Sequence, residues 1–338
     1  MTAKVCLILG DGVGQEVIPA AVEVLASLGL GLQFVEAFAG FEYFEKSGDA
    51  IPDSTLATIE ACGVALFGAT SSPTKGAVAG YRSPILAMRK AFDLYANLRP
   101  VQSLPGPFSR PDLDLLIVRE NTEGLYAGCE RREGDTAIAE RVITVKGSER
   151  IARVAFEKAA VRSQESGVRR STVTVVHKAN VLKVTDGLFR EQCLKVAVEY
   201  PEIAVKEMLV DSMAMRLVKD PENFDVIVTT NLFGDILSDE ASGLIGGLGV
   251  APSANIGAKV AVFEPVHGSA PDIAGQGIAN PIGAILSAAM LLDHIGQPLA
   301  GDRVRMAVEV TLRGGCLPKD LGGAATTSEV TKAVVANL

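Results

Sequence analysis

The chain has 338 residues, 48% of them hydrophobic and 21% charged, with a formal net charge of -8. Its length suits roughly two domains with sizeable cores, its acidic balance offers no basic patch for nucleic acid or an anionic membrane surface, and its most apolar run, 284–292, is too short to span a bilayer. The five scattered cysteines lack CxxC spacing and the three histidines are dispersed, which argues against a disulfide framework, a thiolate metal site and a histidine cage and fits a reducing, cytoplasmic setting.

Strands alternate with amphipathic helices nearly throughout, so the expectation is an α/β fold with a largely parallel sheet. A strand over 5–9 starts almost at once, leaving no room ahead of it for a signal or transit peptide. It runs into Gly10-Asp11-Gly12-Val13-Gly14 and a helix over 16–28, and Glu36 ends a second strand. This order tempts towards a dinucleotide fingerprint, but the spacing is GxGxG rather than GxGxxG, so a Rossmann fold is not the expectation. A third strand, 63–68, enters the loop 69–74, rich in hydroxyls and backbone donors.

Ser83-Pro84 predicts an N-cap and a proline at the first helical position. The helix from there to about Tyr95 sets Ile85, Leu86 and Arg89 on neighbouring positions. After Leu98-Arg99-Pro100, a Pro/Gly segment over 104–111 resembles a crossing between domains. The strand 113–118 leads to Arg119 and onward to Tyr126, and 127–145 reads as a small β excursion. A helix over 148–163, a strand over 172–176 ending at His177-Lys178-Ala179-Asn180, a helix over 186–200 and a strand over 205–210 ending at Asp211 follow.

The next stretch, Asp225 to Asp239, changes period part-way. Val226 to Thr230 is a buried strand of β-branched residues; after Asn231, Asp235 and Asp239 stand four apart and stack on one helical face. Two such acids repel unless a cation sits between them, and two stacked oxygens suit Mg²⁺ or Mn²⁺; the alternative is a first helical turn favoured by the dipole. Arg119, Lys178, Asp211 and Asp235 all lie just past predicted strand ends, where open α/β sheets bind ligands. From Glu264 to Asn280 runs a Gly/Pro-rich loop long enough to be functional, closed by an Asn280-Pro281 cap and an apolar helix to about His294. With Arg89, Arg99 and Arg119 able to fork onto carboxylates, the inventory suits a di- or tricarboxylate whose hydroxyl and carbonyl chelate a divalent cation.

The motifs DLYANLRP (93–100), VRENTEGLY (118–126), HKAN (177–180), TTNLFGDILSD (229–239), GGLGVAPSANIG (246–257) and EPVHGSAPDIAGQGIANP (264–281) occur in that order. On them the chain resembles the metal-dependent β-decarboxylating dehydrogenases, which comprise isocitrate, 3-isopropylmalate and homoisocitrate dehydrogenases. The resemblance implies that family's two-domain α/β fold, with a cofactor domain from 1–98 and 252–338 and an inserted substrate, metal and dimerisation domain over 99–251. It implies an active site in the cleft between them, shared across a homodimer or higher homo-oligomer.

The roles below are also implied by resemblance. Asp235 and Asp239, with Asp211 of the partner subunit, resemble the Mg²⁺ or Mn²⁺ ligands, and Arg89, Arg99 and Arg119 the carboxylate clamp. Lys178, supplied across the dimer, resembles the base that takes the substrate hydroxyl's proton, and Tyr126 the acid that protonates the product carbon. Asn180 would steady the nicotinamide side of the substrate. The dinucleotide moves to the long loop, with Glu264, His267, Gly268, Ser269, Ala270, Asp272, Asn280 and Thr70 as its cofactor-binding residues. Asp272 stands where NAD users keep an acid for the ribose hydroxyl and would repel a 2′-phosphate, so the cofactor is NAD.

Over Gly80 to Arg89 the chain is most similar to homoisocitrate dehydrogenases. Ser83 and Arg82 would receive the distal carboxylate while Ile85 and Leu86 pack the methylenes. Isocitrate and 3-isopropylmalate are the alternative substrates. A non-catalytic regulatory subunit is the rival from another class, and the presence of every metal acid, the lysine and the tyrosine argues against it.

Overall fold

The computed structural model describes residues 3–73, 78, 80–166 and 171–338, without the side chains of 165 and 166. Thr74, the end of the hydroxyl-rich loop, lies outside the described residues. In chain order come β1 (Lys4–Ile8), α1 (Gly14–Ser27), β2 (Gln33–Glu36), α2 (Phe41–Ser47), α3 (Asp53–Cys62), β3 (Val64–Phe67) and α4 (Pro84–Ala91). Then come β4 (Ala96–Gln102), β5 (Asp114–Glu120), β6 (Glu130–Glu133), β7 (Thr136–Ala139), α5 (Val145–Ser166), β8 (Thr172–His177) and α6 (Thr185–Ala197). After these are β9 (Ala204–Leu209), α7 (Val210–Lys219), β10 (Val226–Thr229) and α8 (Asn231–Gly243). The chain closes with β11 (Pro252–Ile256), β12 (Ala261–Pro265), α9 (Ile282–His294), α10 (Pro298–Arg313) and α11 (Thr327–Ala336).

The fold is α/β with mostly parallel strands, and its residues divide into two compact units. The first comprises residues 1–94, 103–111 and 242–338. Its strands run β2-β1-β3-β12-β11, all parallel neighbours except the antiparallel pair β12 and β11. All four residues of β3 are buried, as a strand covered on both faces requires. Helix α9 is apolar nearly all round and buries Ile282, Ile285, Leu291 and Leu292, each worth about 1.5–3 kcal/mol of transfer free energy. Helix α11 starts on a reciprocal cap: Thr326 accepts from the Glu329 backbone N–H while the Glu329 carboxylate accepts from that of Thr326.

The Gly-rich turn after β1 serves packing. Gly10 and Gly12 have φ of +74° and +56°, and a Cβ on them would stand 2.2 Å from the Ala69 carbonyl oxygen and 2.1 Å from that of Ser269. The turn's N–H groups are also taken: Asp11 donates to Ala69 O, Gly12 to Glu42 Oε1, Val13 to Ser269 O and Gly14 to Asp11 O. These four N–H groups are therefore not free to cradle a pyrophosphate, in keeping with the GxGxG spacing.

The second unit comprises residues 95–102 and 112–241, with strand order β4-β5-β10-β8-β9. Within that order β4 and β5 pair antiparallel, and β5, β10, β8 and β9 are parallel neighbours. Central β10, Val226 to Thr229, is wholly buried, and α5 packs on β5, β8 and β10. Parallel order brings the carboxyl ends of β8, β9 and β10 to one edge, where Lys178, Asp211 and α8 begin. Strands β6 and β7 form a separate two-stranded hairpin with all but Ile138 exposed.

Several expected boundaries move. Helix α4 stops at Ala91 rather than Tyr95, because Asp93 takes a left-handed φ of +46° and the chain turns into β4. Ser83 makes no side-chain cap, so Pro84 alone marks that start. Arg119 lies inside β5 and Glu264 inside β12 rather than beyond strand ends. The 104–111 segment belongs to the first unit, and the hairpin of β11 and β12 lacks a sequence expectation altogether.

Candidate active site

In the second unit, one polar cluster is built on β4, β5 and α8. Arg119 is 1% exposed, and its stem lies against Gly234 of α8, where a Cβ would come within 2.6 Å. Its guanidinium donates to Asn231 Oδ1 from Nε (3.1 Å) and Nη2 (2.8 Å), and from Nη1 to Asp235 Oδ1. Arg99 donates from Nε to Asn97 Oδ1 (2.8 Å) and from Nη1 to Ser238 Oγ (2.6 Å) and Asp239 Oδ1 (2.9 Å). Its Nη2 lies 3.3 Å from Asp235 Oδ1. Two guanidiniums thus face two carboxylates stacked on one helical face.

Asp235 and Asp239 are the fifth and ninth residues of α8, beyond its first turn, so the helix dipole does not account for them. The Tyr126 hydroxyl donates to Asp235 Oδ2 at 2.5 Å, and the Arg119 Cζ sits 5.1 Å from the Tyr126 ring centre. Burial first, and then the bond to the Asp235 carboxylate, push the Tyr126 phenol above its ordinary pKa and keep it protonated near neutrality. Burial also raises the Asp239 carboxyl, against the lowering pull of Arg99.

A second cluster in the same unit joins Lys178 Nζ to Asp211 Oδ1 at 2.6 Å. Asp211 is 63% exposed, and the hydrogen bond from Lys178 holds its carboxyl below the usual range. Among the described residues no three His, Cys, Asp or Glu side chains converge, so Asp211 does not join Asp235 and Asp239 within one chain. Asn180 is exposed in the turn after β8.

In the first unit, Arg89 is buried and donates from Nε to Asn255 Oδ1 at 3.2 Å, with Nη2 at 3.8 Å from Glu264 Oε1; Asn255 Nδ2 also donates to Glu264 at 2.7 Å. Ahead of Arg89 the segment is more open. Arg82 is 65% exposed and 3.6 Å from Asp49, Ile85 packs against the core, Leu86 is exposed, and Ser83 is half-buried. The Tyr81 hydroxyl donates to Ser71 O, and Ser71 Oγ to Ser269 Oγ, linking this segment and the loop beside Thr70 to the long loop.

That loop, with the turn at Val13 and residues 319–320, encloses a cavity of about 400 Å³. Its walls are apolar at Val13, Ala270, Ile273 and Ile278 and polar at His267, Asn280 and Asp320. Ala270 holds a left-handed φ of +38°, a strained conformation for a residue with a Cβ, costing about 1–2 kcal/mol. His267 is neutral because burial lowers its pKa; its Nδ1 bonds the Gly268 carbonyl at 2.9 Å, which makes Nδ1 the protonated nitrogen and leaves Nε2 a buried acceptor without a partner. Asn280 donates to Asp320 Oδ2 (3.0 Å) and accepts from the N–H of Ile282 (3.0 Å), the first residue of α9, whose N-cap position is held by Pro281. Gly268 lines the cavity, Ser269 is buried beside it, and Asp272 is exposed on the loop.

The sequence reading passed over Asn97, Asn231 and Ser238, which hold the two arginines, over Asn255 beside Arg89, and over Lys319 and Asp320. A polar residue inside an otherwise apolar strand, as Asn255 is in PSANI, was the available signal for one of them.

The family model for isocitrate/isopropylmalate dehydrogenase matches residues 4–334. The chain belongs to this family. It is 56% identical over 335 residues to an isocitrate/homoisocitrate dehydrogenase of Thermus thermophilus, covering 99% of this chain and 98% of that one. It is 53% identical over 338 residues to a homoisocitrate dehydrogenase of Methanocaldococcus jannaschii (97% and 95% covered) and 48% identical over 336 residues to a 3-isopropylmalate dehydrogenase of Methanothermobacter thermautotrophicus (99% and 98% covered). The crystal structure of isocitrate dehydrogenase from Methylococcus capsulatus superposes with a TM-score of 0.93 at 45% identity, over 100% of this chain and 99% of that one. The protein is therefore an enzyme of the β-decarboxylating dehydrogenase family, homoisocitrate dehydrogenase-like. Family members act on hydroxy carboxylic acids and typically use NAD(P) and a divalent metal. Among the described residues no helix is long and apolar enough to cross a membrane.

Proposed function

We propose that the chain oxidises (2R,3S)-homoisocitrate with NAD and decarboxylates the product to 2-oxoadipate and CO₂, with Mg²⁺ or Mn²⁺, as a step of lysine biosynthesis in the cytoplasm. The observation that carries the chemistry is the pairing of Arg99 and Arg119 with Asp235 and Asp239. Each guanidinium has a carboxylate partner that a divalent cation would draw away, leaving the arginine forks for the substrate's carboxylates. The donor set fits: hard oxygens on one face, with Asp239 49% exposed and open to a further ligand. When bound, the cation would polarise the substrate hydroxyl and carbonyl, and NAD would accept the hydride.

The chain's own groups do the rest. Arg99 and Arg119 orient the carboxylates, and Arg89 serves the same class of group. Lys178 takes the hydroxyl proton on Nζ as the adjacent C–H gives up its hydride. The β-carboxylate leaves as CO₂, its C–C electron pair stays on the carbon next to the new carbonyl, and Tyr126 delivers its phenol proton there. The Tyr126 hydroxyl, which donates to Asp235 Oδ2 and so carries its proton at the edge of the carboxylate pair, supports that acid role.

The unpartnered His267 Nε2 supports an adenine-type amino donor in the loop cavity, and Asp272 supports NAD over NADP. We take Lys178 and Asp211 to act in the partner subunit's site. The exposed hairpin of β6 and β7, too small to be stable alone, and the exposed Val181, Val184, Met215 and Val218 near Lys178 and Asp211 support a homodimer. Homoisocitrate is favoured over 3-isopropylmalate by the homoisocitrate dehydrogenases among the most similar relatives and by the weak surface pair Arg82–Asp49, which a distal carboxylate can replace.

The test is kcat/KM measured side by side for homoisocitrate, isocitrate and 3-isopropylmalate with Mg²⁺ and NAD. Homoisocitrate should rank first; a clear preference for 3-isopropylmalate would overturn the substrate while leaving the reaction class.

A further inference from the structure

Arg141 and Asp186 take no part in the chemistry above, yet they form an enclosed ion pair at the second unit's ligand-binding edge, their side chains 13% and 0% exposed. Asp186, in the first turn of α6, is 0% exposed; its Oδ1 lies 2.7 Å from Arg141 Nη2, and its Oδ2 accepts the backbone N–H of Lys178 at 2.6 Å. The same Arg141 Nη2 donates to Thr230 Oγ1 at 2.8 Å, and its Cζ lies 4.5 Å from the centre of the Phe233 ring. Thr230 and Phe233 bracket the start of α8, which carries Asp235 and Asp239. The residue after Arg141, Val142, exchanges two backbone hydrogen bonds with Gly124 (2.7 and 3.3 Å), directly ahead of the turn that carries Tyr126.

Three segments therefore meet on one buried pair: the end of β8 with Lys178, the junction of β10 and α8, and the Tyr126 turn. A carboxylate with no exposure is held by few partners, and removing one strands a charge, so such a contact has one favoured arrangement rather than a continuum. Lysine particularly needs that help. Its four-carbon stem is flexible, and its outer end pairs with the largely exposed Asp211.

We propose that Asp186 and Arg141 are positioning residues: their ion pair fixes the backbone of Lys178 relative to the segments that carry Tyr126 and the Asp235–Asp239 face. The proposal rests on the reading of Lys178 as the base. It assigns to a buried structural pair a share of the turnover rate, through the place from which the lysine side chain departs.

The experiment is Asp186→Asn in the full-length enzyme, assayed with Mg²⁺, NAD and the preferred hydroxy acid, alone and combined with Lys178→Ala. Alone it should lower kcat by about 10–100-fold, the scale of outer-shell partners, while KM for the hydroxy acid and for NAD moves less than about threefold. The primary isotope effect with substrate deuterated at the hydroxyl carbon should rise, because the chemical step becomes slower than release. Added to Lys178→Ala, it should cost nothing further, since both changes remove the same function. Should the single variant fail to fold, Asp186→Asn with Arg141→Gln removes the stranded charge and should show the same kcat loss and isotope effect.

Unchanged kcat in the folded variant beside an inactive Lys178→Ala would overturn the proposal alone. So would losses that add to those of Lys178→Ala, or a lowered melting temperature with an unchanged isotope effect. If Lys178→Ala itself turned over like wild type, the assignment of the base would be what failed, and the proposal would fall with it.

Discussion

The two polar clusters of the second unit are made from the same residue types and differ in how finished they are. Around Arg119 and Asp235 every element is local to one chain: a buried guanidinium, an asparagine that accepts from it twice, a glycine that makes room for its stem, and a phenol closing the far side of the carboxylate. The side chains of Lys178 and Asp211 pair with each other, and the acid lies mostly in solvent. A closed network keeps its geometry without help, whereas an exposed pair spends side-chain entropy for little return and acquires a fixed geometry only when another surface covers it. The difference marks which half of the site a chain assembles alone and which half it holds ready.

The sharpest way to break that contrast is to neutralise one acid on each side. Asp235→Asn should abolish turnover, by roughly a thousandfold or more, because a metal charge is lost at constant shape. It should also lower the melting temperature by several degrees, since buried Arg119 loses its counter-charge; the variant remains folded. Activity measured beside a thermal melt checks both, and a variant that still turned over in excess chelator would remove Asp235 from the metal site. Asp211→Asn should lose activity on a similar scale with no measurable change in melting, because its partner contact is exposed. If it melted as low as Asp235→Asn, the two clusters would not differ in the way described.

Cofactor choice lies in the first unit and involves neither cluster, so it should leave both intact. Replacing Asp272-Ile273 by Lys-Tyr should move the NADP-to-NAD ratio of kcat/KM upward by about 10–100-fold, at unchanged KM for the hydroxy acid. Initial rates with both dinucleotides decide this, and a wild type that already prefers NADP would contradict the role given to Asp272. The smallest effect is expected at Arg82, which is exposed and loosely paired. Arg82→Ala should cost homoisocitrate a few-fold in kcat/KM, roughly 1 kcal/mol of transition-state binding, and 3-isopropylmalate almost nothing. Equal losses on both substrates would show that Arg82 does not read the distal carboxylate.

Much of this was legible in the residues, and the gaps have physical causes. The α/β pattern and the helical stacking of Asp235 and Asp239 follow from local periodicity, which needs no knowledge of neighbours. What periodicity does not carry is which backbone donors are already taken. The GxGxG spacing of Gly10 to Gly14 already argues against a dinucleotide fingerprint, but that Ala69, Ser269 and Glu42 accept from its N–H groups, and that Ala69 and Ser269 fill the space a Cβ would need, is visible only in the fold. Helix α4 overran by four residues because Asp93 takes a left-handed conformation that its sequence neighbours do not announce. The hairpin of β11 and β12 was hidden because Pro252, Ser253 and Asn255 weaken its strand signal, although Asn255 is the residue that holds Arg89. Asn231 and Ser238 were missed for a related reason: each acts on an arginine distant in sequence, a relation only the folded chain displays, whereas Asn97 stands two residues from Arg99 on the same face of β4, a spacing that was there to be read.

The measurement that bears most directly on the division between a finished and a waiting half is complementation between inactive chains. Lys178→Ala and Arg119→Ala should each be inactive as pure proteins, and mixing them under conditions of demonstrated subunit exchange should restore part of the wild-type rate, because a hybrid dimer contains one site with an intact Arg119 from one chain and an intact Lys178 from the other. No recovery despite exchange would mean that each active site is built within a single chain, and that the contrast between the two clusters has no functional meaning.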